Sequence, residues 1–332
     1  MGGDVQPVVL RPNLPAHAAA GFPPGEISGS GPSPHDAAQP RKTLQRSLIV
    51  MTIIDARLRP PLKDYLRCNL YRDPKKTQGW SNNFLMKVSP AVEQRDADLL
   101  YREMDDAGVT LGVMTGRQSP DMGNVSNDDL MDVVREQPSR FVGIAGVDGS
   151  DPIAAIAEIE RTVANGNLRG AGMEPGCGAI PMYVDDARLY PIYQYCSDRS
   201  IPMFLMGGGG NGPDLSYSNP EHIDRVCRDF PKLVVVNMHG SYPWVPQVLF
   251  SCMCRPNMYL APDMYMYNMP GAADYVTAAN GFLRDRFLFG SGYPYIPLKQ
   301  AVDLFVAMPF DRSILPNLLY KNMARVLKLD VD

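Results

Sequence analysis

Arg57 and Arg59 stand two residues apart at the end of an apolar run, Ile53-Ile54-Asp55-Ala56-Arg57-Leu58-Arg59. Side chains alternate along an extended strand, so both guanidinium groups leave the same face. A guanidinium is planar, permanently charged and offers paired donors. It suits a bidentate grip on a carboxylate, or the stabilisation of a developing oxyanion or enolate. It has no lone pair to give a metal. Arg117 adds a third cation beyond a second apolar run. Later runs end in Glu174, His239, Asp263 and Gly292-Tyr293. Carboxylates there act as general acid or base when burial or neighbours tune them. His239, with an ordinary pKa of about 6.5, is a candidate proton shuttle. The Tyr293 hydroxyl can donate to a substrate oxygen. Asn211 and Tyr265 are further candidates for substrate contact. Each has a plainer alternative: arginines paired with Asp55, Glu174 or Asp263, a hydrogen-bonded core histidine, tyrosines that only pack.

Elements that could position these groups alternate regularly from residue 48 onward. Strand-like runs cover 48–56, 109–114, 141–147, 169–173, 201–206, 233–238, 258–261 and 287–290. Helix-like stretches follow them at 92–107, 127–136, 153–164, 188–198, 220–229, 245–254, 271–283 and 298–308, with a last helix over 313–327. Eight such units predict an α/β fold, a single (β/α)8 TIM barrel over residues 48–332. In that fold the active site lies at the C-terminal ends of the strands, which is where the candidate residues fall. A doubly wound open sheet is the alternative, but the first strand lacks a glycine-rich nucleotide turn. The run Gly207-Gly208-Gly209-Gly210-Asn211-Gly212 lacks the Lys-Ser/Thr ending of a phosphate loop and reads as a substrate loop. The stretch between the first strand and its helix, with Trp80 and Phe84, is long enough to form a lid.

The 332 residues are 45% hydrophobic and 20% charged, with a net charge of −4. That balance gives no basis for nucleic acid as a partner. No run approaches the roughly 18 apolar residues of a membrane span. Six scattered cysteines, with no CxxC pair, suggest reduced thiols and a cytoplasmic protein. Residues 1–47 are dense in Pro, Gly and Ala without apolar periodicity, and are expected to be a disordered extension. A homo-oligomer is compatible with the sequence, which does not set the oligomeric state.

From residue 52 to the C-terminus the strand ends resemble the amidohydrolase superfamily. The similarity is to the amidohydrolase-2 group, which includes aminocarboxymuconate-type decarboxylases and pyrone-dicarboxylate lactonases. Ile53-Ile54-Asp55-Ala56-Arg57-Leu58-Arg59 stands where that group has a strand ending in His-x-His. Ile201–Met206 resembles its fifth strand, which ends in His. His239-Gly240 with Pro243-Trp244 resembles its sixth-strand motif, and Phe289-Gly290-Ser291-Gly292-Tyr293-Pro294 its Phe-Gly-Ser-Asp-Tyr-Pro. The resemblance implies metal ligands at Arg57, Arg59, Met206, His239 and Gly292, of which only His239 can bind a metal. A zinc site takes three or four N, O or S ligands. The expectation is therefore a barrel with no metal and no cofactor.

Such a site is read first as a metal-independent hydrolase of a small carboxylated substrate, a lactone, enol ester or activated C–C bond. Arg57, Arg59 and Arg117 would hold the anion, with Asn211 and Tyr265 as further contacts. Asp263 or His239 would activate water, and Glu174 or Tyr293 would assist proton transfer. The second reading is a metal-independent decarboxylase or C–C lyase, and the third a non-catalytic anion-binding barrel.

Overall fold

Short apolar runs that are buried along their whole length belong to parallel strands covered on both faces. Phe141–Gly146 is such a run, with all six residues buried. In the computed structural model, which describes residues 52–330, it forms β3 of a parallel sheet. The extension expected over residues 1–47 lies outside the described residues.

The other strands are β1 Ile54–Asp55, β2 Leu111–Thr115, β4 Ala171–Met173, β5 Met203–Met206, β6 Val235–Met238 and β7 Met258–Ala261. They pair in sequence order, all parallel. Four short helices follow β1: α1 Asn69–Arg72, α2 Pro74–Asn83, α3 Pro90–Gln94 and α4 Ala97–Ala107. One helix then follows each strand: α5 Asn127–Glu136, α6 Pro152–Ile159, α7 Tyr190–Asp198, α8 Pro220–Asp229, α9 Val245–Cys254 and α10 Ala272–Asn280. After these come α11 Leu298–Ala307 and α12 Asn322–Leu327.

The eighth position of the ring holds no regular strand, which corrects the expectation for 287–290. The segment still closes the barrel. Phe287 bridges in parallel to Leu260 of β7, and Tyr293 bridges in parallel to Leu58 beyond β1. Ala56 N donates to Phe289 O at 3.0 Å. The ladder fails between these contacts because side chains and a helix take its hydrogen bonds. Phe289 N donates to Leu318 O, and Ser291 N donates at 2.8 Å to the Asp55 carboxylate. Ser291 Oγ and Arg57 N donate to the same carboxylate.

Two expected helices are broken. The one over 92–107 is interrupted by Arg95 in a left-handed conformation, after which Asp96 caps α4 by accepting from the N–H groups of Asp98 and Leu99. The one over 313–327 contains Pro316, which has no N–H to give the preceding turn. A 3-10 turn, a π turn and α12 replace it. Residues of one parity, among them Ile54, Val113, Ile144, Phe204, Val236 and Leu288, cluster inside the ring. The other parity packs against the helices. All six cysteines are free. Among the described residues no helix is long and apolar enough to cross a membrane.

Asp55 is thus the buried clasp between the first strand and the closing segment. Asp55→Ala is expected to lower stability in urea unfolding by about 3 kcal/mol, because two buried backbone N–H groups lose their acceptor. Ser291→Ala, which removes one hydroxyl donor, is expected to cost about 1 kcal/mol. Equal midpoints for wild type and Asp55→Ala would contradict the clasp.

Candidate active site

Beyond β1 the two arginines take different surroundings. Arg57 is 1% exposed and turns under the barrel mouth. It donates to Thr115 Oγ1 at 3.1 Å and to Glu174 Oε1 at 3.3 Å. Glu174, at the end of β4, also accepts from Arg117 at 3.2 Å, and the Arg117 Nε lies 3.0 Å from its other oxygen. One carboxylate therefore sits between two guanidinium groups. Burial alone would raise the Glu174 pKa, but Arg117 and Arg57 outweigh it and hold the carboxyl at about 2. Glu174 stays ionised at neutral pH and has no proton to give.

Arg59 is gripped by backbone instead. Its Nε donates to Tyr293 O at 2.9 Å and one terminal nitrogen to Gly292 O at 3.0 Å. Its guanidinium carbon lies 5.2 Å from the centre of the Tyr295 ring. Among the described residues no carboxylate lies within ion-pair distance of it. Burial, then repulsion from Arg57 and Arg117, lowers its pKa to about 10, which leaves it charged at neutral pH. Gly292 makes this possible. Its φ is +74°, and a Cβ there would meet Met264 Cβ at 2.7 Å. The position that the resemblance assigned to an aspartate has no room for a side chain and offers a carbonyl to arginine.

The ends of β6 and β7 bring His239 and Asp263 together. Both adopt left-handed backbone, with φ of 64° and 44°. That conformation costs roughly 1–2 kcal/mol in a non-glycine residue, which the surrounding packing must offset. His239 Nδ1 lies 2.7 Å from Asp263 Oδ2. Neither Asp263 oxygen, nor His239 Nδ1, has a well-aligned hydrogen-bond partner, so the two side chains meet through proximity and charge. Burial lowers the His239 pKa below its usual 6.5. Asp263 opposes that shift, while Arg57 and Arg59 add to it. The imidazole is neutral at neutral pH, with Nδ1 turned toward Asp263 and the ring bordering the cavity described next.

Over this pair lies a cavity of about 280 Å³. Arg59, Arg117 and Lys76 bring cations to its wall, Asn69 and Asn211 bring amides, and Trp80, Tyr265 and Tyr295 bring aromatic surface, with His239 among them. No aspartate or glutamate lines it. The Tyr265 ring stacks on Tyr242 at 4.7 Å and meets His239 edge-on at 5.8 Å. The Nδ2 of Asn211 is buried without an acceptor.

Of the residues singled out in the sequence, Arg59, Arg117, Asn211, His239 and Tyr265 share the cavity, with Asp263 against His239. Arg57 and Glu174 do not reach the wall; they form the ion pair beneath it. Tyr293 is not brought to the cavity either. Its hydroxyl lies 3.2 Å from Ser89 Oγ, on the far side of the closing segment, and only its carbonyl serves the site. The ring that faces the cavity is Tyr295, two residues on; strand alternation would have put both tyrosines on one face, and the irregular segment separates them. Lys76, Asn69 and Trp80 come from the helices after β1, and the sequence held no signal for the first two.

The amidohydrolase family model matches residues 54–329. An uncharacterized TIM-barrel protein from Bordetella bronchiseptica is 41% identical, with a TM-score of 0.82 over 84% of this chain and 99% of that one. The gamma-resorcylate decarboxylase of a Polaromonas species is 32% identical over 84 residues, which make up 24% of this chain and only 26% of that enzyme. A dihydroxybenzoic acid decarboxylase from Polaromonas, solved with bound manganese and 2-nitroresorcinol, shares the fold at a TM-score of 0.60 and 17% identity over 85% of this chain and 98% of that one.

Replacing Glu174 by Gln strands two buried guanidinium groups. The expected cost at neutral pH is about 3–5 kcal/mol, the usual range for removing one partner of a buried pair. The Glu174 pKa is depressed from 4.5 to about 2, so its contribution is present above 4.5 and is lost as pH falls through 2. Denaturant unfolding of both proteins along that pH series should show the gap between them closing.

Proposed function

This chain belongs to the amidohydrolase family, and we propose that it is a metal-independent decarboxylase of a small, conjugated carboxylic acid. The observation that carries the proposal is the cavity itself: cations and no acids in its wall, a neutral histidine backed by an aspartate, and aromatic sides. The relatives named as decarboxylases support this reaction over the hydrolysis expected first.

A divalent ion does not fit the donors. Guanidinium groups occupy two of the family's ligand positions, a buried methionine a third, and a glycine without room for a side chain a fourth. Among the described residues no group of three or more His, Cys, Asp and Glu is placed to hold a metal. The charge that a metal would supply in a relative comes here from Arg59 and Arg117. Their donors hold the substrate's anionic oxygens.

Loss of carbon dioxide leaves the electron pair of the broken C–C bond on carbon. Conjugation passes it to an oxygen, and the Arg59 guanidinium stabilises that oxyanion. Asn211 Nδ2 is a further donor free to reach such an oxygen. A proton then replaces the carboxyl group on carbon, so each turnover consumes one proton from solvent. His239 Nε2 delivers it. The free imidazole is neutral, but a bound anion beside it favours the imidazolium, and Asp263 at Nδ1 holds that charge. Tyr265 and Tyr295 fix the plane of the substrate, and Trp80 covers it from α2.

A panel of hydroxybenzoates and muconate-like acids, followed by product mass, tests the reaction. Release of carbon dioxide is expected. A gain of one water instead would assign the site to hydrolysis, with neutral His239 as the base on water, and binding without turnover would leave an anion-binding barrel. His239→Asn is expected to lower kcat about 10²–10⁴-fold. Prolonged chelation should leave the rate unchanged. A requirement for added manganese or zinc would overturn the metal-independent reading.

The lowered His239 pKa has a second consequence. Free His239 must be neutral for anion binding to draw a proton onto it. Calorimetry in buffers of different ionisation enthalpy should therefore show proton uptake on binding above the histidine pKa, and less uptake as pH falls through it. A proton count of zero at neutral pH would contradict the shuttle.

A further inference from the structure

Three successive residues after β6 run left-handed. His239, Gly240 and Ser241 have φ of 64°, 58° and 51°. Only the middle one is a glycine, so the chain holds His239 and Ser241 where an L side chain crowds its own backbone. Main-chain hydrogen bonds alone do not complete the turn. Tyr242 N donates to His239 O at 3.1 Å, and Trp244 N donates to Ser241 O at 2.8 Å. The same spacing would join residue 243 to Gly240 O, but Pro243 has no N–H. The missing donor comes from outside the turn. Tyr275, fully buried in α10, donates its hydroxyl to Gly240 O at 2.8 Å. Asn237 Nδ2 adds a bond to Ser241 Oγ at 2.8 Å.

The turn also presses on the end of β7. A Cβ on Gly240 would lie 2.7 Å from the Tyr275 hydroxyl and 3.1 Å from Pro262 Cα. Pro262 precedes Asp263, whose own φ is 44°. The Tyr275 hydroxyl therefore bears on a point where the backbones carrying His239 and Asp263 meet. We infer that Tyr275 is a positioning residue, whose hydroxyl holds the left-handed turn that presents His239 to Asp263 and to the cavity. Without it Gly240 O loses its buried donor, and the turn relaxes toward ordinary backbone, which swings the His239 side chain off Asp263. Tyr275 is not part of the cavity wall, so it acts through His239. Its effect on turnover rests on the proposed function; its effect on His239 is read without a substrate.

Tyr275→Phe removes the hydroxyl and keeps the ring. NMR of isotope-labelled histidine rings in the full chain, at one pH above the histidine range, reads the surroundings of His239, and Asp263→Asn marks where its signal goes when the carboxylate is lost. Tyr275→Phe is expected to move the His239 signal in that same direction and to leave His222 in place. Tyr193→Phe deletes another buried hydroxyl, which donates to Val184 O at 2.6 Å outside the cavity wall, and should move neither signal. A His239 signal unmoved by Tyr275→Phe would overturn the inference. Thermal unfolding of Tyr275→Phe should stay as cooperative as that of Tyr193→Phe. A variant that does not fold would make the hydroxyl a support of the whole barrel and overturn the positioning role as well. On any acid of the hydroxybenzoate and muconate panel that turns over, Tyr275→Phe should lower kcat roughly ten- to a hundredfold and leave KM within about threefold, since the residue aligns a proton donor without touching the substrate. An unchanged kcat would overturn the role in catalysis. If no acid of the panel turns over and the His239 signal still moves, the proposed function fails and the positioning of His239 stands.

Discussion

Burying guanidinium groups at the centre of a barrel sets the constraint that the rest of this structure satisfies. Each carries a charge that cannot be removed at physiological pH, and each has donors that must find acceptors. Glu174 answers for two of them at once, and its carboxyl stays ionised because they flank it. Without that acid at the end of β4, Arg57 and Arg117 would repel each other in a space closed to water. Arg59 is answered differently, by two carbonyls of the closing segment and an aromatic ring. Carbonyls accept hydrogen bonds but carry no net charge, so Arg59 keeps an uncompensated positive charge facing the cavity.

The irregular eighth segment follows from the same constraint. Its carbonyls can turn toward Arg59 because they are not committed to a strand ladder. Asp55 holds the segment through Ser291, and the ring closes with few strand hydrogen bonds at that point. Gly292 is required there because only a residue without Cβ passes Met264 at its positive φ. Two of the positions that depart from the metal-binding pattern of the family, Arg59 and Gly292, are thus in direct contact. Arg59 is held by the main-chain carbonyl of the glycine that stands at the family's aspartate position, and the close approach of Met264 is what keeps a side chain out of that position.

Function is then divided between a rigid layer and an open one. The rigid layer is Arg57, Thr115 and Glu174, buried and mutually paired, with Asp263 buried against His239. The open layer is Arg59, Arg117, His239 and the amides and rings that border the cavity. Burial, with Arg57 below and Arg59 alongside, lowers the His239 pKa against the pull of Asp263, and the proposed acid–base role rests on that balance.

Much of this was legible in the chain. Parallel strands buried on both faces produce apolar runs, and the barrel repeats them with helices between, so architecture and the location of the mouth follow from the order of residues. Helices at 127–136, 220–229 and 245–254 begin and end where the sequence places them. Most of the polar residues that end the runs also come together around one cavity, because strand ends converge in this fold. What the sequence could not decide is which cation is neutralised. Arg57 and Arg59 have the same side chain and sit two residues apart, yet one is an internal counter-ion and the other faces the cavity. Likewise Tyr293 and Tyr295 share a motif, and only the second turns to the cavity. Lys76 gives no local sign of its place at all. These outcomes depend on distances between residues far apart in the chain, such as Glu174 to Arg57 and Gly292 to Arg59. Charge pairing is settled by proximity in space, and only the folded barrel fixes it.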